Sequence, residues 1–135
     1  MRARAYIAAK ACTDFEIGGF RFHINHPISY FRAREFLTVE PDLVNWIEDY
    51  IDADSILYDV GANIGAYSLY AARKGARVIA FEPGADNYGL LNKNIALNHM
   101  DDRISAFNAE IHDKTGTDAC ISPSSIRAVR FILSR

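Results

Sequence analysis

The sequence predicts an α/β fold in which a parallel sheet alternates with helices, preceded by a β-hairpin and a helix. Three observations predict it. Short apolar runs at 56–60, 77–81 and 104–109 have the length of strands, and near-continuous apolar runs mark strands buried on both faces. Helix-length patterns lie between them, and strands that alternate with helices pair in parallel through right-handed crossovers. A turn rich in glycine joins the first run to the first of those helices.

Taken in order, Phe15, Ile17, Phe20, Phe22 and Ile24 alternate around Gly18-Gly19, which is the pattern of a two-residue hairpin. His23 and His26 sit three apart. On a strand such positions point to opposite faces, so no metal site is expected. Arg32, Arg34 and Glu35 fall in a mixed stretch that no period assigns. Leu43, Trp46, Ile47, Tyr50 and Ile51 then recur at i, i+3, i+4, i+7 and i+8, one face of a helix, with Trp46 in the core. Pro41 and Asp42 suit its first turn.

The run Ile56, Leu57, Tyr58, Val60 leads into Gly61, Asn63 and Gly65, three residue types that tolerate positive φ. A helix starts at Ala66 and closes at Gly75. The second strand, 77–81, ends on Glu82, and Pro83-Gly84 break it. Asp86 is expected to cap a helix reaching about Asn98, with Tyr88, Leu91 and Ile95 inward. Asn87, Asn92, Asn94 and Asn98 read as its solvated side. A turn over 99–103 precedes the third strand. His112 to Gly116 form a further turn, and Ser122-Pro123-Ser124-Ser125 break the chain again. Ile126, Val129 and Leu133, with Arg127, Arg130 and Arg135, fit a short basic helix or a strand equally.

Strand, glycine turn and helix start make a ligand cradle, because free N–H groups and the positive end of the helix dipole meet there. Glu82 stands about 20 residues past that turn, where nucleotide-binding α/β folds hold a ribose diol. The order Gly61-x-Asn63-x-Gly65 is not the G-x-G-x-x-G of dinucleotide sites, so a nicotinamide-type half is the weaker alternative.

Asp59-Val60-Gly61-Ala62-Asn63-Ile64-Gly65 and Phe81-Glu82-Pro83 resemble the S-adenosylmethionine (SAM) site of class I methyltransferases. The asparagine in the turn and the segment Asn108 to Gly116 are similar, more narrowly, to the FkbM-type family. The resemblance covers roughly Glu40 to Gly116. It implies the Rossmann-like half of a class I methyltransferase, with SAM as cofactor. Cofactor contacts would come from Asp59, Gly61, Asn63, Gly65, Glu82, Asn108 and Ala109. Asp59 would face the methionine amino group, and Asn108 and Ala109 would lie beside the adenine. Gly65 is expected to leave room for the ligand, and Glu40, beside Pro41, is a lesser candidate. The implied reaction is O-methyl transfer to a small-molecule or sugar hydroxyl. No equivalent of the family's acceptor half follows Gly116, so no catalytic residue is assigned. A truncated, non-catalytic SAM-binding fragment or interaction module is the alternative, and a homodimer would be one way to complete a site.

Composition bounds the rest. At 135 residues the chain is expected to be one domain: a frayed terminus over 1–12, hairpin and helix over 13–52, the cofactor unit over 53–120, and an undefined tail over 121–135. Half of its residues are hydrophobic, 24% are charged and the net charge is −2. That balance gives no argument for nucleic acid or an anionic membrane, and neither is expected as a partner. Cys12 and Cys120 form no C-x-x-C pair, the usage of a cytoplasmic protein with reduced thiols.

Overall fold

A computed structural model describes residues 13–111 and 130–133. The hairpin pairs β1 (Thr13–Ile17) with β2 (Phe20–Ile24), Phe15 opposite Phe22 and Ile17 opposite Phe20. Gly18 and Gly19 both take positive φ, 60° and 77°, as a two-residue turn matched to strand twist requires. Alternation puts Phe20, Phe22 and Ile24 wholly inside.

Helix α1 (Pro27–Val39) occupies the stretch that showed no period. His26 caps it: its ring accepts from the Ile28 N–H, while Ser29 returns a contact to the His26 backbone. Pro27 stands at the first helical position, where a missing N–H costs nothing. The buried face is Ser29, Ala33 and Phe36, small and part polar, which is why hydrophobic spacing did not reveal it. Glu40 alone separates α1 from α2 (Pro41–Tyr50). On α2 Ile47 is buried and Trp46 half-buried, but Tyr50 is 67% exposed. The expected stripe therefore holds through Ile51, buried just past the end of the helix, and fails only at Tyr50, whose ring rests on Trp46 at 6.2 Å.

The main sheet has the order β5-β4-β3-β6. Strands β3 (Ile56–Val60), β4 (Arg77–Phe81) and β5 (Ile104–Phe107) are parallel, linked by α3 (Ala66–Arg73) and α4 (Ala85–Leu97). The fourth strand, β6 (Arg130–Leu133), runs antiparallel along β3, with Leu57 opposite Ile132. The sheet is thus mixed at one edge, and this part of the tail is a strand. The expected turn at 112–116, both cysteines, and the terminus over 1–12 lie outside the described residues.

Two expectations for α4 need correction. Its N-cap is Gly84 rather than Asp86, because the strand break at Pro83-Gly84 runs straight into the helix. Its asparagines are not one solvated side either: Asn92 is exposed as expected, but Asn94 and Asn98 face the hairpin. Asn94 is fully buried; its Oδ1 accepts the His23 N–H at 2.7 Å and its Nδ2 donates to the Ile64 carbonyl at 2.8 Å. Asn98 accepts from Arg21 N and donates to Arg21 O. Side-chain amides here do the work of a neighbouring strand and satisfy the open edge of β2.

Candidate functional site

The carboxyl ends of β3, β4 and β5 meet at one end of the sheet, the usual ligand position in open α/β folds. The turn after β3 folds back on its neighbour. Gly61 N and Ala62 N both donate to the Phe81 carbonyl at 2.9 Å, Asn63 N donates to Glu82 Oε2 at 2.7 Å, and Gly65 N donates to the Ala62 carbonyl. This path needs positive φ at Gly61 (77°), Asn63 (56°) and Gly65 (87°). The amides of Ala62, Asn63 and Gly65 are therefore spent within the chain and are not free for a ligand, contrary to the sequence expectation. The first-turn amides of α3, from Ala66 onward, precede any intrahelical partner and carry the dipole's positive end.

Glu82 is 5% exposed. Its Oε1 accepts from Gly84 N at 2.9 Å and Asn87 Nδ2 at 3.4 Å, its Oε2 from Asn63 N. A carboxylate offers about four acceptor positions, so one more donor can be taken. Asp59 is fully buried and accepts the Ser68 hydroxyl at 2.6 Å, which ties β3 to α3. Asn108 donates to the carbonyls of Glu82 (2.9 Å) and Pro83 (3.1 Å), fastening the end of β5 to that of β4, and Ala109 follows it, exposed. Gly65 makes room for a neighbouring helix. A Cβ there would meet Leu91 Cδ1 at 2.5 Å, so its bare α-carbon admits the side chain of α4.

A cavity of about 310 Å³ opens beside the turn, at the lower end of the ~300–1,000 Å³ of small-molecule sites. One wall is Gly61 to Ile64 with Ala66 and Tyr67; the other is α1, through Phe31, Arg32, Glu35 and Phe36, with Val39 and Glu40 at its end. Of the sequence candidates Gly61, Asn63 and Glu40 line it, whereas Asp59, Gly65, Glu82, Asn108 and Ala109 do not. Sequence reasoning missed Arg32, Phe31, Tyr67 and Asn87. Pro27 at a helix start, followed by Ser29, Ala33 and Phe36 at helical spacing, was the signal that could have found α1 and its arginine.

The cradle suits an adenosyl amino acid: a buried carboxylate with one acceptor position left at the tip of β4, and a cavity carrying both charges. Among the described residues no helix is long and apolar enough to cross a membrane.

Comparison with known proteins extends this geometry. Residues 59–131 match the family described as Methyltransferase FkbM domain, more than half of the chain. The tRNA (uracil(54)-C(5))-methyltransferase of Pyrococcus furiosus is 26% identical over 106 residues, covering 78% of this chain and 25% of that protein. The hexuronic acid methyltransferase AglP of Haloferax volcanii is 33% identical over 81 residues, 58% of this chain and 33% of that protein. Among solved structures, P. horikoshii TYW2 in complex with MeSAdo superposes with a TM-score of 0.57 at 26% identity, over 77% of this chain and 38% of that one. The chain thus spans only a quarter to two-fifths of the length of these relatives.

The expectation of a small-molecule acceptor without a nucleic-acid partner does not stand, since similar proteins include tRNA methyltransferases. The acceptor was drawn from the family resemblance, and the exclusion of nucleic acid rested on a net charge of −2, a sum that is blind to how charge is distributed over a surface. With a Rossmann-like sheet, the turn–Glu82 pairing and a match across more than half its length, this chain belongs to the FkbM methyltransferase domain family, whose methyl donor is S-adenosylmethionine.

Proposed function

We propose that these residues form the cofactor-holding part of a SAM-dependent methyltransferase. The observation that carries the proposal is the turn that delivers Asn63 N to the buried Glu82 carboxylate beside a two-walled cavity. SAM supplies a methyl group already activated by its sulfonium charge. The chain's own task is then positioning, which can supply several kcal/mol of a barrier. Glu82 accepts a ribose hydroxyl in its remaining acceptor position. Asn108 and Ala109 flank the adenine, Gly61 and Asn63 shape the cavity wall, and Asp59, held by Ser68, answers the amino group. Transfer to an oxygen is the narrower reading, and it rests on the family resemblance. The tRNA-modifying relatives make nucleic acid an acceptor to be assayed beside it. Residues 53–120 act as the cofactor unit, in a cytoplasmic setting that fits two cysteines without a C-x-x-C pair.

Calorimetric titration tests the proposal. S-adenosylhomocysteine (SAH) is expected to bind with one-to-one stoichiometry and NAD not to bind. Binding of NAD in preference to SAH would overturn the reading. Labelled SAM incubated with total tRNA and with hydroxyl-bearing acceptors then reports the acceptor class.

A further inference from the structure

Arg32 closes a ring of hydrogen bonds that no single element could make. Its Nη1 donates to Asn63 Oδ1 at 2.6 Å and to Asn87 Oδ1 at 3.3 Å. Asn63 N and Asn87 Nδ2 donate in turn to opposite oxygens of Glu82, at 2.7 and 3.4 Å. Helix α1, the glycine turn, the tip of β4 and the first turn of α4 are thus joined through four residues. Both Nη1 hydrogens are used. Those on Nε and Nη2 have no partner among the described residues, and they form the edge of a guanidinium that suits a carboxylate. Arg32 is also the one cationic side chain among the described residues lining the cavity. Glu35 and Glu40 stand on the same wall. The lining therefore offers one cationic point, and it suits a carboxylate.

We infer that Arg32 receives the α-carboxylate of the methionine end of SAM through Nε and Nη2, while Nη1 keeps Asn63 and Asn87 on Glu82. The inference rests on the proposed function and adds to it the residue that reads the amino-acid tail. One guanidinium then serves both ends of the cofactor, the tail directly and the ribose by positioning Glu82.

Two probes separate these roles. SAH carries the carboxylate; 5′-methylthioadenosine shares its adenine, ribose and thioether but lacks the amino-acid tail. Calorimetry on the full chain is expected to show Arg32→Gln losing about 10- to 100-fold in affinity for SAH, the scale of charge-assisted hydrogen bonds. Its affinity for methylthioadenosine is expected to fall by only about two- to fourfold, the share that comes from positioning Glu82. Arg32→Lys, which keeps the charge without the fork, is expected to recover part of the SAH affinity, and it carries the test if Arg32→Gln fails to fold. Equal loss for both probes would leave Arg32 with the positioning role alone and overturn the carboxylate contact. Unchanged affinity for both would overturn it too. A wild-type chain that binds neither probe would overturn the cofactor reading itself, which keeps the two failures apart.

Discussion

Two regions wall the same cavity, and they are held in opposite ways. The unit from β3 to β5 is fixed by backbone: parallel ladders, and Gly61 and Ala62 sharing the Phe81 carbonyl. The region from β1 to α1 is docked by side chains: Asn94 and Asn98 on the hairpin, Arg32 on the turn, the Tyr67 hydroxyl on the Phe36 carbonyl. A backbone lattice tolerates few residue types at its turns but is indifferent to most others. Side-chain docking depends on single residues whose loss frees one region and spares the other. The first kind of region is expected to fail globally, the second locally.

The largest effect tests the backbone side. Gly65→Val combines a strained positive φ with a clash against Leu91, each costing roughly 1–3 kcal/mol. We expect global destabilisation by about 2–6 kcal/mol in urea unfolding. Full stability in that variant would break the contrast. Next comes Asn94→Ala, which leaves the His23 N–H and the Ile64 carbonyl without their partner. Unsatisfied buried groups cost about 1–3 kcal/mol each, and we expect about 2–4 in all. Hydrogen exchange should quicken first in 13–24; uniform loss of protection would show that the hairpin is no separate unit.

A smaller effect concerns Glu82, the point both regions reach. Glu82→Ala is expected to weaken SAH binding about 10- to 100-fold, and to abolish the preference of the wild type for SAH over its 2′-deoxy analogue. Retained preference would place the ribose contact elsewhere. The smallest lies on the surface between α2 and α3. Hydrogen bonds from Lys74 and Tyr70 hold the Glu48 carboxyl below the ordinary value near 4.5, and Tyr70 is raised in return. A lowered carboxylate stabilises the fold above its unfolded value, and that contribution fades as pH falls through 4.5 and below. Melting temperature against pH should therefore drop less steeply between about 5 and 3 in Glu48→Gln than in the wild type; superposable curves would remove Glu48 from the docking contacts.

The same division explains what could be read from sequence. Strand–turn–helix–strand was legible because Gly61, Asn63 and Gly65 answer a backbone demand, and the apolar runs around them answer a burial demand. Both demands are local. Helix α1 was not legible, because its buried face of Ser29, Ala33 and Phe36 carries little hydrophobic contrast. Asn94 misled for a related reason. A helical asparagine reads as solvated, and its partner on β2 lies 71 residues away. Arg32 became a site residue only through that undetected helix. Glu82 was expected at the site from its spacing alone, but the three donors already on its carboxylate belong to tertiary structure.

The antiparallel strand β6 bears on how the chain reaches this state. It pairs with β3, with Ile56 opposite Leu133, although β4 and β5 intervene in sequence. A chain emerging from the ribosome completes β3, α3, β4, α4 and β5 while one side of β3 still lacks its ladder. Pairings between distant segments form slowly, and an open strand edge recruits other chains in the meantime. Only once Leu133 has been added can β3 gain its second ladder and become an interior strand, which leaves β5 and β6 as the outer strands of the sheet.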